Sequence, residues 1–473
     1  MICRTKEITI PEDKPFLNCK LNRIGYATIL TKVVGQLNEG GVLSICGEWG
    51  TGKTTFVKMW EQYLKNESFQ TLYFNVWEHD FVSDPLIGII AQFRKLVPDD
   101  GAKQKLSDIS KSFLSILSGM VPKIAKGVAT RCIGDEAAEV IEAGVEKATN
   151  SFHSILDDYE DQCKSINDFR ECLRTYVEKL SDGKPIVFIV DELDRCNPIY
   201  AVKTLERIKH LFSIPGIVFV LSIDKEQLCN SIKGYFGSEQ LNAEEYLKRF
   251  IDYEYILPTP NIQQYCKYLY DQYNFDEFFQ NVRRRNFFSH EDEVKEFLQM
   301  TETLFFNIHL NLRQIEKQFS HLRIALMTFR KEEYVHPGVL VLLEYFRNKH
   351  YDFYVKIRNR SYNIDELVAE LENKFPHSII SRSADYDQSS SRFIWDVAKF
   401  LCCYCQDDKF RGESIKLITE GDNPELCFEV TTFNKETLSQ MIKYNFDYKR
   451  SNGIYDICIL IDHLELLYDL TEN

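Results

Sequence analysis

A chain of 473 residues exceeds what one hydrophobic core usually holds and implies roughly two to four domains. Its 44% hydrophobic content fits a soluble globular protein. The formal net charge of −14, from 57 basic and 71 acidic side chains, argues against an indiscriminate nucleic-acid coat and leaves room only for a local basic patch.

Residues 1–20, with Pro11, Pro15 and several charges, read as an extended lead-in without the apolar stretch of a secretory signal. The 14 cysteines are scattered and read as reduced thiols; Cys402 and Cys405 form a lone C-x-x-C beside Cys403 with no second pair to complete a zinc site. Residues 22–40 read as a helix beside the core, from which Arg23 or Tyr26 could touch a base. Next, Val42-Leu43-Ser44-Ile45-Cys46 reads as a buried strand. It runs into GEWGTGKTT (Gly47 to Thr55), where Gly47, Gly52, Lys53 and Thr54 match G-x-x-x-x-G-K-[ST]. Phe56, Val57, Met59, Trp60, Tyr63 and Leu64 then recur at helical spacing. A glycine-rich loop between strand and helix offers backbone N–H groups to phosphates; Lys53 would reach the β- and γ-phosphates and the Thr54 hydroxyl would ligate Mg²⁺. This is the pattern of a nucleoside triphosphate site.

A second strand, Thr71 to Trp77, ends in Glu78-His79-Asp80. Ligands gather after the C-terminal ends of strands in open α/β sheets, which poises Asn75, Trp77 and Glu78 near the phosphate loop. Ile87 to Phe93 starts a helix, followed by a polar break at Pro98 to Ala102. Phe113 to Gly134 is the stretch nearest to a membrane span, but Pro122, Lys123, Lys126 and Arg131 interrupt it. An amphipathic helical hairpin, packed or membrane-skimming, is expected there. Helix signals resume through Glu136–Lys147 and Phe152–Leu180.

Pro185 to Val190 is a fully apolar strand that runs into Asp191 and Glu192. Asp191 would hold Mg²⁺ directly or through water, and Glu192 is placed to polarise an attacking water. A helix from about Ile199 to Phe212 and a buried strand from Ile217 to Asp224 follow. Ser222 and Asp224 could sense the γ-phosphate or the attacking water; Asp224 could equally cap the helix that starts at Lys225. Lys248 and Arg249, before the strand-like Ile251–Leu257, could stabilise transferring phosphate in cis or across a subunit boundary, or form a solvated pair. After Pro260 the pattern turns helical. Arg283-Arg284-Arg285 is the one concentrated basic cluster and keeps nucleic acid as an alternative partner. Arg313 is a candidate second sensor, and residues 337–357 read as one apolar helix with Pro337 in its first turn. Residues 377–392 look like a linker; beyond them Leu426–Val430 and Tyr455–Ile461 are candidate strands and Asp462–Tyr468 a closing helix. No nuclease or protease constellation, paired metal-ligating histidines or internal repeat stands out.

The ordered set GEWGTGKTT, FNVWEHD, IVFIVDELDRCNP, VFVLSIDKEQL and EEYLKRFIDYEYILP resembles the KAP family of P-loop NTPases, whose core is similar to STAND and AAA+ ATPases. The resemblance covers roughly residues 20–330. It implies an additional-strand ATPase core with a Mg²⁺ site and a helical lid. Carried onto this chain, the Walker A residues are Gly47, Gly50, Gly52, Lys53, Thr54 and Thr55, and the Walker B region is Asp191, Glu192 and Asp194, followed by Arg195. The family's usual FNPW-like segment reads FNVW here, and the transmembrane helices that members often insert between the two motifs are replaced by the charged Phe113–Gly134 stretch. Bacterial members are often linked to exclusion of phages or plasmids, so the resemblance implies a defence role.

The expected fold is therefore α/β: a three-layer P-loop NTPase core with a mostly parallel sheet and an inserted helical hairpin, then a helical lid and a small α+β C-terminal region. The expected boundaries are 1–260 for the core (insert about 95–165), 261–376 for the lid, 377–392 for a linker and 393–473 for the last domain. The expected activity is Mg²⁺-dependent hydrolysis of ATP that drives a conformational or assembly switch, with a homo-oligomer or an effector protein as partner. The expected site is cytoplasmic, with peripheral membrane contact left open. Two alternatives remain at this stage, a nucleotide-gated scaffold that recruits an effector and a nucleic-acid-dependent ATPase. No acceptor-binding lid motif supports a kinase, and adenine over guanine rests on the resemblance.

Overall fold

The structure, a computed structural model, describes residues 8–82, 84–96, 183–209, 214–281, 290–307, 310–330, 335–375, 388–405, 417–419, 425–452 and 457–466, with scattered positions between 167 and 178 and Ile379. Phe113–Gly134, Arg283–Arg285 and most of 377–392 lie outside the described residues. The chain divides into two compact units, Glu7–Thr259 and Pro260–Asn473.

The first unit is an α/β layer structure. In chain order its elements are α1 (Ile24–Val34), β1 (Gly41–Cys46), α2 (Lys53–Asn66), β2 (Thr71–Asn75), α3 (Pro85–Leu96), β3 (Ile186–Asp191), α4 (Pro198–Lys209), β4 (Ile217–Ile223), α5 (Lys225–Phe236), α6 (Ala243–Leu247) and β5 (Tyr253–Ile256). The sheet has the order β2-β3-β4-β1-β5 and every pairing is parallel. β4 thus lies between β1 and β3, the additional strand that the sequence resemblance implied. Strands β1, β3 and β4 are buried at every position, as near-continuous apolar runs require when both sheet faces are covered. Their residues alternate between two cores. Val187, Ile189, Val218 and Val220 pack with Phe56 and Trp60 of α2 and Ala27 and Leu30 of α1. Phe188, Val190, Phe219 and Leu221 face Ile89 and Phe93 of α3, Leu205 of α4 and Leu228 of α5. Each face is therefore covered by its own helices, giving three layers.

The second unit is helical among its described residues. It comprises α7 (Ile262–Gln272), α8 (Asp276–Phe279), α9 (His290–Asn307), α10 (Leu312–Leu326), α11 (Pro337–Lys349), α12 (Tyr351–Arg358), α13 (Ile364–Lys374), α14 (Gln388–Tyr404), α15 (Lys435–Asn452) and α16 (Ile457–Leu464). One apolar core runs through it, from Cys266 to Leu464. Three local expectations are corrected. The helix expected over 337–357 is two helices, broken at His350, whose ψ of 56° leaves the helical region. Of the strand expected over Tyr455–Ile461, the described part from Ile457 is helical: Ile457, Leu460, Ile461 and Leu464 are buried on one face of α16. Leu426–Val430 reduces to a single antiparallel bridge between Ile418 and Leu426. Cys402, Cys403 and Cys405 are buried and form no disulfide among the described residues, and burial pushes the Cys405 thiol up to about 12. No described helix is long and apolar enough to cross a membrane.

The seating of β2, which borders the candidate site, depends on one glycine. A Cβ on Gly88 of α3 would lie 2.6 Å from Cζ of the fully buried Phe74. In an open helix, alanine would gain about 1 kcal/mol over glycine. Here it must displace a packed ring, an overpacking cost of about 1–3 kcal/mol. Gly88→Ala is therefore expected to lower the urea midpoint of the first unit, measured by tryptophan fluorescence; an increase would show that the β2–α3 contact is looser than described.

Candidate nucleotide site

The site is built where β1, β3 and β4 end. After Cys46 the chain turns through Gly47–Gly52 and enters α2. Gly50 and Gly52 take φ values of 81° and 82°, in the left-handed region where a side chain is strained, and this lets the loop fold back above the first turn of α2. No side chain caps α2, so its first amides and the positive end of the helix dipole are turned to the loop interior. Lys53 is 8% exposed, and its ammonium donates to the carbonyl oxygens of Gly47 and Glu48, the latter at 3.0 Å. Burial lowers its pKa, while Asp194, Asp224 and Asp191 act to raise it.

The end of β3 supplies the acids. Asp191 is 1% exposed; its Oδ1 accepts the Glu192 amide at 3.0 Å and its Oδ2 accepts the Tyr73 hydroxyl at 2.8 Å. Glu192 has φ 62°, a left-handed value that costs a non-glycine residue about 1–3 kcal/mol. That turn brings its carboxylate into a set of donors. Oε1 accepts from Arg195 Nη1 at 2.6 Å and Thr54 Oγ1 at 3.4 Å, and Oε2 accepts from Asn75 Nδ2 at 3.2 Å. Asn75 also donates to Glu78 Oε1 at 2.8 Å, and the Arg195 guanidinium lies 5.8 Å from the centre of the Trp77 ring.

A second pair of acids holds the other side of the loop. Asp194 accepts the Trp49 indole N–H; burial raises its pKa, opposed first by that bond and then by Lys53. Asp224 was open between sensing and capping. It caps α5, with Oδ1 accepting Gln227 N at 3.3 Å, and its Oδ2 takes the Trp49 backbone N–H at 2.9 Å. Ser222 is fully buried on β4, paired in register with Asp191, and its hydroxyl has no hydrogen-bond partner among the described residues.

The structure thus gathers Lys53, Thr54, Asn75, Glu78, Asp191, Glu192, Asp194, Ser222 and Asp224 about the phosphate loop. Lys248 and Arg249 are exposed, and Lys248 pairs with Glu245 at 2.9 Å. Arg313 is exposed on α10 of the second unit. Arg23 does not present its guanidinium for a base. It is 3% exposed and donates to the carbonyls of Thr51 (2.9 Å), Gly52 (3.2 Å) and Pro258 (3.4 Å). Tyr73 and Trp49 are the contributors that motif reading missed, while Arg23, expected as a possible base contact, serves the loop carbonyls instead. Tyr73 carried a signal, standing two residues before Asn75 and so on the same face of β2.

A family model described as the KAP family P-loop domain matches residues 23–329. The chain belongs to the KAP family of P-loop NTPases. Among solved structures it is similar to the Aeropyrum pernix ORC2 protein (ADPNP–ADP complexes), at 12% identity over 91% of this chain and 95% of that one, with a TM-score of 0.32. No curated protein matches the sequence.

In this KAP-family protein no three acidic, histidine or cysteine side chains form a complete metal cage among the described residues. Thr54, Asp191 and Glu192 instead offer adjoining hydroxyl and carboxylate oxygens. That donor set fits Mg²⁺, which takes one or two carboxylates and completes its shell with phosphate oxygens and water.

Asp224 joins two jobs that substitutions can separate. Asp224→Ala removes a helix cap, worth about 1 kcal/mol, and also the anchor of the Trp49 amide, so a loss of about 1–2 kcal/mol is expected in urea unfolding. Asp224→Asn keeps one oxygen for the cap but turns an NH2 toward the Trp49 N–H, so it should lose less than Asp224→Ala by about the worth of the cap. Equal losses would mean that the Trp49 anchor, not the cap, dominates.

Proposed function

We propose that this protein hydrolyses ATP with Mg²⁺ and uses the ATP and ADP states to switch its conformation or assembly. The observation that carries this reading is the contact of Thr54, at the start of α2, with Glu192, at the end of β3. It sets a candidate water-activating carboxylate beside the helix N-terminus that would bind the phosphates. Gly47, Gly50, Gly52, Lys53, Thr54 and Thr55 would cradle the triphosphate. Thr54 and Asp191 would hold Mg²⁺, which when bound neutralises charge on the β- and γ-phosphate oxygens.

The rest of the reaction falls to the chain's own groups. A carboxylate has about four lone-pair positions. Arg195 and Thr54 take those of Glu192 Oε1, and Asn75 takes one on Oε2. The remaining position on Oε2 is the one from which Glu192 would accept a proton from the attacking water, in line with the bond to the leaving phosphate. Lys53 would turn from its own loop carbonyls to the phosphates and offset charge as it develops. Asn75, Glu78, Asp194, Ser222 and Asp224 are candidate sensors of the γ-phosphate. Lys248 and Arg249 are candidate cations offered by this chain or a second copy, and Arg313 is a candidate second sensor of the γ-phosphate. Action in the cytoplasm, a homo-oligomer or effector partner, and a part in exclusion of phages or plasmids extend the reading on the family resemblance.

One observation favours a second reading, a scaffold that binds nucleotide but turns over little. The 2.6 Å ion pair with Arg195, with the bonds from Thr54 and Asn75, already engages most acceptor positions of the Glu192 carboxylate and holds it in place. Phosphate release from ATP, with Lys53→Ala and Glu192→Gln alongside, separates the two. Turnover is expected to fall at least about 100-fold in both variants, with ATP binding retained in Glu192→Gln. Tight ATP binding by the wild type without phosphate release, with and without DNA or RNA, would reject hydrolysis and leave the scaffold.

A further inference from the structure

We infer that Tyr73 is a positioning residue for Asp191, its hydroxyl orienting the carboxylate that would hold a divalent cation beside the nucleotide phosphates. This rests on the nucleotide-site reading above and adds a residue that lies outside both the phosphate loop and the acidic strand end.

Three observations carry it. The first is the donor balance on Asp191. A carboxylate 1% exposed must find donors inside the protein, and it has one on each oxygen, the Glu192 amide on Oδ1 and the Tyr73 hydroxyl on Oδ2. With both in place the carboxylate cannot rotate about its Cβ–Cγ bond without losing a charge-assisted bond, and each oxygen keeps a lone pair for a cation or its water. The second is strand register. β2 pairs with β3 so that Tyr73 lies opposite Ile189 and Asn75 opposite Asp191. Residues two apart share a sheet face, so β2 sends Tyr73 to Asp191 and Asn75 to Glu192, one donor to each acid. The third is the sense of the bond: a carboxylate oxygen only accepts, so at 2.8 Å the Tyr73 hydroxyl is the donor to Asp191 Oδ2. Packing alone explains the ring, which lies against the α1–α2 core, but not a hydroxyl seated on the acid.

Tyr73→Phe removes the oxygen and keeps the ring. Calorimetric titration of a non-hydrolysable ATP analogue into wild type and variant would be run across a Mg²⁺ series and again in EDTA. The half-saturating Mg²⁺ concentration is expected to rise about tenfold in the variant, which corresponds to about 1.4 kcal/mol for one hydrogen bond to a charged group. Affinity in EDTA should change less than about twofold, and that arm also reports that the variant is folded. Asp191→Asn sets the upper limit of the effect. An unchanged Mg²⁺ requirement, or equal weakening with and without Mg²⁺, overturns the positioning role. Absence of any Mg²⁺-dependent tightening in the wild type overturns the nucleotide–metal reading itself, a result distinct from failure of the Tyr73 inference.

Discussion

Four carboxylates, Asp191, Glu192, Asp194 and Asp224, are buried within one small region around a single buried ammonium, Lys53. Like charges at low dielectric repel strongly, so the arrangement holds only if each acid has its own donors. It does. Asp191 takes Tyr73 and an amide, Glu192 takes Arg195, Thr54 and Asn75, Asp194 takes the Trp49 indole, and Asp224 takes two amides. The requirement to satisfy these acids explains why the phosphate loop carries a tryptophan with two bonds, and why β2, an edge strand, carries donors at alternate positions. It also bears on the proposed ligand. A triphosphate brought beside four carboxylates meets further repulsion, which a divalent cation relieves and a monovalent one relieves less well.

The core was legible in the sequence wherever function and burial wrote the same pattern. Continuous apolar runs gave β1, β3 and β4, because strands covered on both faces need apolar residues at every position. The terminal helix shows how this fails. Ile457-Cys458-Ile459-Leu460-Ile461 is rich in β-branched residues and invites a strand reading, yet buried Ile457, Leu460, Ile461 and Leu464 keep the helical spacing. For a short apolar run, propensity and period disagreed and tertiary packing followed the period. The break at His350 had no glycine or proline to announce it; the Tyr345 hydroxyl lies 3.0 Å from His350 Nε2, a pairing fixed by the fold.

Within the site, legibility divided along the same line. Residues that chemistry constrains to a motif, such as Lys53, Thr54 and Asp191, could be named from the string. Residues that serve those residues were harder to name: Asn75 stood out at the end of its strand, but many side chains can donate a hydrogen bond and only the register of β2 on β3 selects Tyr73. Asp224 lay between the two classes. Its position before Lys225 announced a cap, while its second bond, to the Trp49 amide, joins segments 175 residues apart.

Arg23 completes this logic from the opposite side of the loop. A peptide that directs its carbonyl one way directs its N–H the other way, so fixing the carbonyls of a loop also fixes where its amides point. The Arg23 guanidinium holds the carbonyls of Thr51 and Gly52, whose peptides lead directly into the amides of Gly52 and Lys53. Burial lowers its pKa, and among the described residues its hydrogen-bond partners are backbone carbonyls, so a buried positive charge sits behind the loop. The acids gather at the strand ends and the Arg23 guanidinium lies on the carbonyl side of the loop. Between them is a row of amides at an uncapped helix N-terminus, an arrangement whose electrostatics favour an anion that brings its own cation on one flank only.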